Sequence, residues 1–325
     1  MHKVVLIGAG RIGRIHAGNA ASSSRIELAG VVDPIDASAQ SLAAGHGCPV
    51  MGLDQAMNDA SVAGVIIASS TDTHLDYSLR AAAAGKAVFC EKPIDQDLGR
   101  ARGAADRLST ARLLLAFNRR FDPNFQALKA RLDSGAIGRL ETLQITSNDP
   151  APPPPAYVAV SGGLFKDMAI HDFDMARWLL GEEPVEVYAA GSCLVDPEIG
   201  RLGDIDTART LLKTASGRIC VISNSRRSGF GYDQRIEAYA SAGMVRADNV
   251  TESTVQVWSE NGAAADRFQN FFLDRYAEAY RREMEHFADM LDGAPASVGY
   301  ADGVAALALA EAAARSVATG APVRL

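Results

Sequence analysis

Cysteine is scarce in this 325-residue chain, and its four copies, Cys48, Cys90, Cys193 and Cys220, lie far apart. No CxxC and no Cys/His spacing is present that would clasp an ion, so no metal site is expected. So sparse a set also argues against a disulfide-stapled secreted scaffold and points to a reducing, cytoplasmic compartment. Long apolar runs are missing too. Behind Met1, His2 and Lys3 only Val4, Val5, Leu6 and Ile7 precede Gly8, which reads as a strand and is too short for a signal-peptide core. The most apolar late segment, 303–318, carries Glu311 and Arg315 and falls short of the ~20 residues a bilayer span needs, so no membrane partner is expected. Blocks of like charge are absent, and 32 Lys and Arg against 39 Asp and Glu leave a net charge of −7. A nucleic-acid footprint needs a basic face, so nucleic acid is not an expected partner. With 48% hydrophobic and 22% charged residues, disordered and collagen-like classes also drop out.

What the chain does have is rhythm. Up to about residue 118, nearly continuous apolar runs (3–7, 27–32, 62–68, 87–90 and 113–117) alternate with helical patterns (11–21, 36–44, 73–84 and 95–110). Runs that are apolar on both faces suit strands covered by helices on both sides, so the alternation predicts an α/β, doubly wound parallel sheet. Beyond residue 120 the pattern changes. Pro123 opens a helix to Leu132, 139–147 alternates as a strand, and Pro150, Pro152, Pro153, Pro154 and Pro155 make a stiff loop. One helix is expected over 164–180, ending at Gly181. Strands then follow at 185–191, 207–214, 218–226, 234–240, 244–247 and 254–258, before two helices at 274–291 and 301–317. Consecutive strands with short turns predict an α+β domain with an antiparallel sheet. The expected division is a dinucleotide-binding domain over 1–120 and a substrate-binding, oligomerising domain over 121–325.

The first apolar run leads directly into Gly8-Ala9-Gly10-Arg11-Ile12-Gly13, and Asp33 stands twenty residues past Gly13 at the end of the second run. In that context G-x-G-x-x-G is the dinucleotide fingerprint of a Rossmann fold. Gly8 permits the tight turn, Gly10 lets backbone N–H groups approach a pyrophosphate at the helix N-terminus, and Gly13 brings helix and strand close. Asp33 would accept hydrogen bonds from the adenosine ribose hydroxyls and repel a 2′-phosphate, which favours NAD over NADP. A purely structural glycine-rich helix start is the alternative, and the whole context weighs against it. The third run ends in Ala68-Ser69-Ser70-Thr71-Asp72-Thr73-His74. Ser69, Ser70 and His74 stand at a strand's carboxyl end, where such sheets bind ligands; helix capping by Asp72 or Thr71 explains the same residues equally well.

Past the fourth run, Cys90-Glu91-Lys92-Pro93 puts a lysine at the sheet's carboxyl edge. The second domain offers Gly162-Gly163-Leu164-Phe165-Lys166-Asp167-Met168-Ala169-Ile170-His171, with Asp167 and His171 four apart and so on one face of a helix. An imidazole beside a carboxylate suits removal of an alcohol proton as hydride leaves the same carbon, and a lysine would favour the alkoxide. Taken alone, Asp-x-x-x-His is as readily a surface pair, and the lack of further ligands argues against a metal.

The fingerprint, Glu91-Lys92-Pro93, Gly162-Gly163 with Asp167 and His171, and the ending Ala310-Glu311-Ala312-Ala313 through Thr319-Gly320 together resemble the glucose–fructose oxidoreductase/inositol dehydrogenase/rhizopine catabolism (Gfo/Idh/MocA) family over nearly the whole chain. Within it, Phe117-Asn118-Arg119-Arg120-Phe121-Asp122-Pro123, the stretch from Lys166 to Arg177, and Tyr232-Asp233-Gln234-Arg235 look most like the inositol 2-dehydrogenase branch. The resemblance implies NAD on the first domain, Lys92, Asp167 and His171 as catalytic trio, and Asp149 and Tyr232 near a polyol, with Asn118 near cofactor or substrate. It implies oxidation of myo-inositol at C2 to 2-keto-inositol. Another cyclitol such as scyllo-inositol, or an aldose oxidised at its anomeric carbon, would use the same trio. A non-catalytic NAD sensor or scaffold is the alternative from another class. For Tyr232, packing at a sheet edge explains the residue as well as substrate contact does, and Arg177, six past His171, is expected at the surface. The resemblance also implies a homo-oligomer, a dimer or tetramer. Ile219, Val221, Leu211, Val255 and Val257 supply apolar positions for sheet-to-sheet pairing.

Overall fold

In the computed structural model, which describes residues 1–325, the first apolar runs form β1 (His2–Ile7), β2 (Ile26–Val32), β3 (Val62–Ile67), β4 (Ala87–Cys90) and β5 (Leu113–Leu115). They pair in the order β2-β1-β3-β4-β5, every pair parallel. Val4, Val5, Leu6, Val65, Ile66 and Phe89 are wholly buried, as strands covered on both faces require. The order reverses between β1 and β3, so the turns leaving those two strands open the crevice where this architecture takes its ligand. The helix expected over 95–110 is instead two short ones, Leu98–Gly103 and Ala105–Leu108, parted next to the poor helix former Gly103.

The chain divides into two compact units, Met1–Phe121 with Ala279–Leu307 and Asp122–Glu278 with Ala308–Leu325. The division departs from a single cut at residue 120, because a late segment returns to the first unit. Gly64 has no side chain, and a Cβ there would stand 3.0 Å from Phe287 and 3.1 Å from Leu291 of the helix Ala277–Leu291. Phe287 meets Phe89 edge to face at 5.7 Å, a contact class worth about 0.5–1.5 kcal/mol beyond area burial. The Leu115 N–H donates to the Val298 carbonyl, closing the free edge of β5.

In the second unit, β6 (Leu140–Asn148), β7 (Pro184–Ser192), β8 (Thr207–Thr214), β9 (Ile219–Ser225), β10 (Asp233–Ala240) and β11 (Gly243–Ala247) build a seven-stranded sheet with the terminal strand. β12 (Gln256–Ser259) and β13 (Gly262–Ala265) form a separate exposed hairpin, and β14 (Val323–Arg324) is the terminal strand, pairing with β7. The order is β11-β10-β6-β9-β8-β7-β14. The sheet is mostly antiparallel, as expected, with one exception: β6 and β9 are parallel, since the chain leaves β6 through helices and returns two strands later. Val255 and Val257 therefore lie outside the large sheet, in or beside the hairpin. The helix Ile170–Leu180 packs on β6, with Ile170, Phe173, Met175 and Ala176 wholly buried. The proline loop is shorter than expected, because Pro155 opens a helix, Pro155–Ser161, with its missing N–H at a position that needs none.

Candidate active site

The first unit carries the fingerprint on the turn after β1. Gly8 has φ +108°, and a Cβ on it would stand 2.4 Å from the Ala68 carbonyl oxygen at the end of β3. A Cβ on Gly13 would stand 2.0 Å from the Gly8 carbonyl oxygen, so the helix Arg11–Ser22 approaches the strand only because residue 13 has no side chain. Gly10 differs: nothing lies within 4 Å of its would-be Cβ, and no side chain caps the helix it begins. Open space in front of uncapped helix N–H groups fits a pyrophosphate. Asp33 stands beside this turn, its Oδ2 accepting the Ala9 N–H at 2.6 Å and its Oδ1 the Ile35 N–H at 2.8 Å. Arg11 and Gly10 are exposed, and Ile12 is half-buried.

The segment after β3 divides the candidates. Ser69 Oγ lies 2.6 Å from Thr73 Oγ1, which donates to the Ser70 carbonyl at 2.7 Å. Neither Thr71 nor Asp72 caps a helix; they belong to the single 3-10 turn Thr71–Thr73. His74 is buried, its Nδ1 2.8 Å from the Pro93 carbonyl oxygen and its Nε2 3.1 Å from that of Ser69. Its geometry makes it a brace between two loops. Glu91 is likewise buried, bonded to His16. Lys92 between them is half-buried, in a cis peptide bond with Pro93. Asn118 is buried at the start of the 3-10 turn Asn118–Phe121.

The second unit carries Asp149, Asp167, His171 and Tyr232. The expected single helix over 164–180 is broken: Asp167 ends the helix Leu164–Asp167 and His171 is second in the helix Ile170–Leu180. At the break the Ala169 N–H reaches back five residues, to the Leu164 carbonyl at 3.0 Å, and not four. Strand β9 fixes this junction. Arg226, just past its end and 1% exposed, places its guanidinium 3.4 Å from Asp167 Oδ2 and 3.7 Å from Asp204. Asn224, two residues earlier, donates from Nδ2 to Asp172 Oδ2 at 2.8 Å, next to His171. Tyr157, from the helix after the prolines, donates its hydroxyl to Asp167 Oδ1 at 2.8 Å. Asp204 also accepts the Leu164 N–H at 3.0 Å, capping the first of the two helices.

The same end of the sheet gathers the remaining candidates. The Asp149 N–H donates to the Ser225 carbonyl at 2.9 Å, and Asn148 pairs in register with both Ser225 and Asp233. Tyr232 is buried edge to face against Tyr276 at 6.0 Å. Burial opposes ionisation of Asp233, yet hydrogen bonds from Arg235, Asn249 and Asn148 outweigh it and hold the carboxyl below its usual range. Arg177 is not a surface residue: its guanidinium binds Glu183 at 2.6 and 2.7 Å and its side chain is 9% exposed. No three His, Cys, Asp or Glu side chains are gathered as a metal site, and no helix is long and apolar enough to cross a membrane. Tyr157, Asp204, Asn224 and Arg226 had no signal in the linear sequence, since each reaches the junction from another element.

A Rossmann sheet with an open glycine turn, joined to a unit bearing a braced carboxylate and, four residues on, an imidazole, defines an NAD-binding oxidoreductase. The chain belongs to the Gfo/Idh/MocA oxidoreductase family: residues 2–118 match its NAD-binding Rossmann fold and 125–246 its C-terminal domain. Among relatives, the inositol 2-dehydrogenase of Rhizobium meliloti (strain 1021) is 47% identical over 316 residues, 96% of each chain. The crystal structure of a myo-inositol dehydrogenase from Corynebacterium glutamicum superposes with a TM-score of 0.95 at 42% identity, covering 100% of this chain and 99% of that one. A scyllo-inositol dehydrogenase from Lactobacillus casei, with bound NAD(H) and scyllo-inositol, gives 0.90 at 28% identity, covering 100% and 99%.

Proposed function

We propose that this chain is an inositol 2-dehydrogenase, oxidising myo-inositol at C2 to 2-keto-inositol. NAD, when bound, supplies the hydride acceptor. His171 takes the hydroxyl proton while the C–H electron pair leaves as hydride, so the alcohol loses one proton and one hydride and becomes a ketone. Asp167 orients that imidazole and stabilises its protonated form, and Lys92 donates a hydrogen bond to the reacting oxygen. Asp149, Tyr232 and Asn118 supply groups that donate to or accept from ring hydroxyls. The observation that carries the reading is the junction at 167–171, where Arg226 and Asn224 pin the segments bearing the carboxylate and the imidazole. The choice of myo-inositol over scyllo-inositol follows the relatives, the myo-inositol enzyme at 42% identity against the scyllo-inositol enzyme at 28%.

The reading extends to assembly and place. Leu211 and Val221 stand side by side on the outer face of the seven-stranded sheet and would be covered by the same face of another copy, giving a dimer or tetramer. A reducing, cytoplasmic setting is supported by four unpaired thiols, one of which, Cys90, burial pushes up to about 12.

The test is a substrate panel: the protein with NAD and myo-inositol, scyllo-inositol or aldoses, followed by nicotinamide absorbance in the near ultraviolet. Fastest reduction with myo-inositol is expected; preference for another member corrects the substrate, and none with any supports a binding-only protein. His171→Ala is expected to lower kcat roughly 10²–10⁴-fold while leaving NAD affinity within about threefold. Unchanged turnover would remove the base.

A further inference from the structure

Behind Lys92 the first unit buries a group of titratable side chains that the proposed reaction does not use. His16, on the helix that opens with the glycine turn, is 0% exposed, and its Nε2 lies 2.7 Å from Glu91 Oε1. A carboxylate only accepts, so Nε2 carries the hydrogen. The ring is boxed edge to face by Phe89 at 4.7 Å and Tyr280 at 5.9 Å, which leaves it one orientation. The other carboxylate oxygen, Glu91 Oε2, accepts the backbone N–H of Lys92 at 3.2 Å, and the Glu91 N–H is held by the Ile67 carbonyl at 2.9 Å. On the far side of the lysine, the Pro93 carbonyl is held by His74 Nδ1 at 2.8 Å.

Charge fits this arrangement. Burial opposes ionisation of Glu91, but the hydrogen bond from His16 together with the charges of His16, Lys92 and His74 outweighs it and holds the carboxyl below its usual range. Glu283 is 0% exposed with both oxygens buried and unbonded, and burial, then the charge of Glu91, holds it well above the usual carboxylate range. The pair of carboxyls therefore carries one negative charge, on the member that faces His16 and Lys92.

We propose that His16 and Glu91 are positioning residues for Lys92: the imidazole fixes the carboxylate, the carboxylate fixes the lysine's own backbone, and the helix that begins at the phosphate turn thereby sets where the ammonium group stands. The inference rests on the role proposed for Lys92. Its test compares His16→Leu, His16→Gln, Glu91→Gln and Lys92→Met for kcat with myo-inositol and for NAD affinity by calorimetry, each variant's fold checked by circular dichroism.

His16→Leu, which cannot donate, is expected to lower kcat roughly 10- to 10²-fold with NAD affinity within about threefold, since misplacement of a group by an ångström costs on that order. His16→Gln puts an amide N–H near the position of Nε2 and is expected to recover most of that loss. Parental kcat in His16→Leu, or NAD affinity falling in step with kcat, overturns the proposal. Should His16→Leu not fold, Glu91→Gln carries the test: reduced kcat at kept NAD affinity supports the brace, and parental kcat overturns it. Parental kcat in Lys92→Met overturns the reading of the lysine itself, which separates that failure from failure of the brace.

Discussion

Single buried charges decide what the first unit tolerates, and Glu283 shows the sign of the effect most directly. Its carboxyl titrates well above the ordinary value of 4.5 in the folded chain, because burial and the neighbouring Glu91 both disfavour the anion. Between those two values the folded protein binds the proton that the unfolded chain has released, so this group lowers stability as pH rises. Glu283→Gln keeps shape and neutrality and removes that dependence. The variant is expected to melt at least about 2 °C above the parent at pH 8 and to show no such gain near pH 4, measured by thermal unfolding across pH. A gain equal at both pH values would mean that packing, not ionisation, sets the difference. Residues of this kind mark the limit of the sequence as a guide. Gly13 and Asp33 could be read from spacing, because the strand–turn–helix fingerprint fixes how far each stands from Gly8. Glu283, Arg226 and Tyr157 could not, because each acts on a partner more than nine positions away, at 91, 167 and 167.

At the scale of elements, the phosphate turn makes two glycines look alike in sequence and differ in structure. Gly13→Ala would force a methyl group to 2.0 Å from the Gly8 carbonyl oxygen, a backbone atom that cannot step aside. It is expected to cost about 1–3 kcal/mol of stability and to weaken NAD binding together with the fold. Gly10→Ala meets nothing within 4 Å, so its melting temperature should stay close to the parent's. Its methyl group instead fills the space a pyrophosphate would take, and NAD affinity is expected to fall at least about tenfold, by calorimetry. Parental affinity in Gly10→Ala would show that the cofactor does not lie against that N–H row. The strands and crossover helices of the first unit were legible because continuous apolar runs have few other uses. The break at 168–169 was not, since one extra residue in a helical turn leaves the apolar spacing almost unchanged. The parallel β6–β9 pair escaped for another reason: alternation reveals a strand and its buried face, and says nothing about which neighbour it chooses.

For the whole molecule, the outer face of the seven-stranded sheet is the surface with most to explain. Tyr188, Leu211 and Val221 stand opposite one another across β7, β8 and β9, and are 42%, 36% and 37% exposed. Alternate residues of the same strands, Val187, Leu212, Cys220 and Ile222, are fully buried, so the period-2 pattern gives the sheet a packed face and an open one, on which Tyr188, Leu211 and Val221 form an apolar row between Arg209 and Lys213 of β8. A polar outer face is the rule for an antiparallel sheet that meets water, and an apolar row across three strands suits a partner sheet of the same kind. Pairing through one face of a sheet is isologous: each copy offers the same row, so one acidic substitution enters the interface twice. Leu211→Asp with Val221→Asp therefore places four carboxylates in a paired interface, where burial without cations costs far more than the lost apolar area. By light scattering the parent is expected at two or four times 34.3 kDa and the double variant at 34.3 kDa, with the fold retained because both side chains point away from the core. A parent that already runs as a monomer would show that this face is not the one that joins subunits.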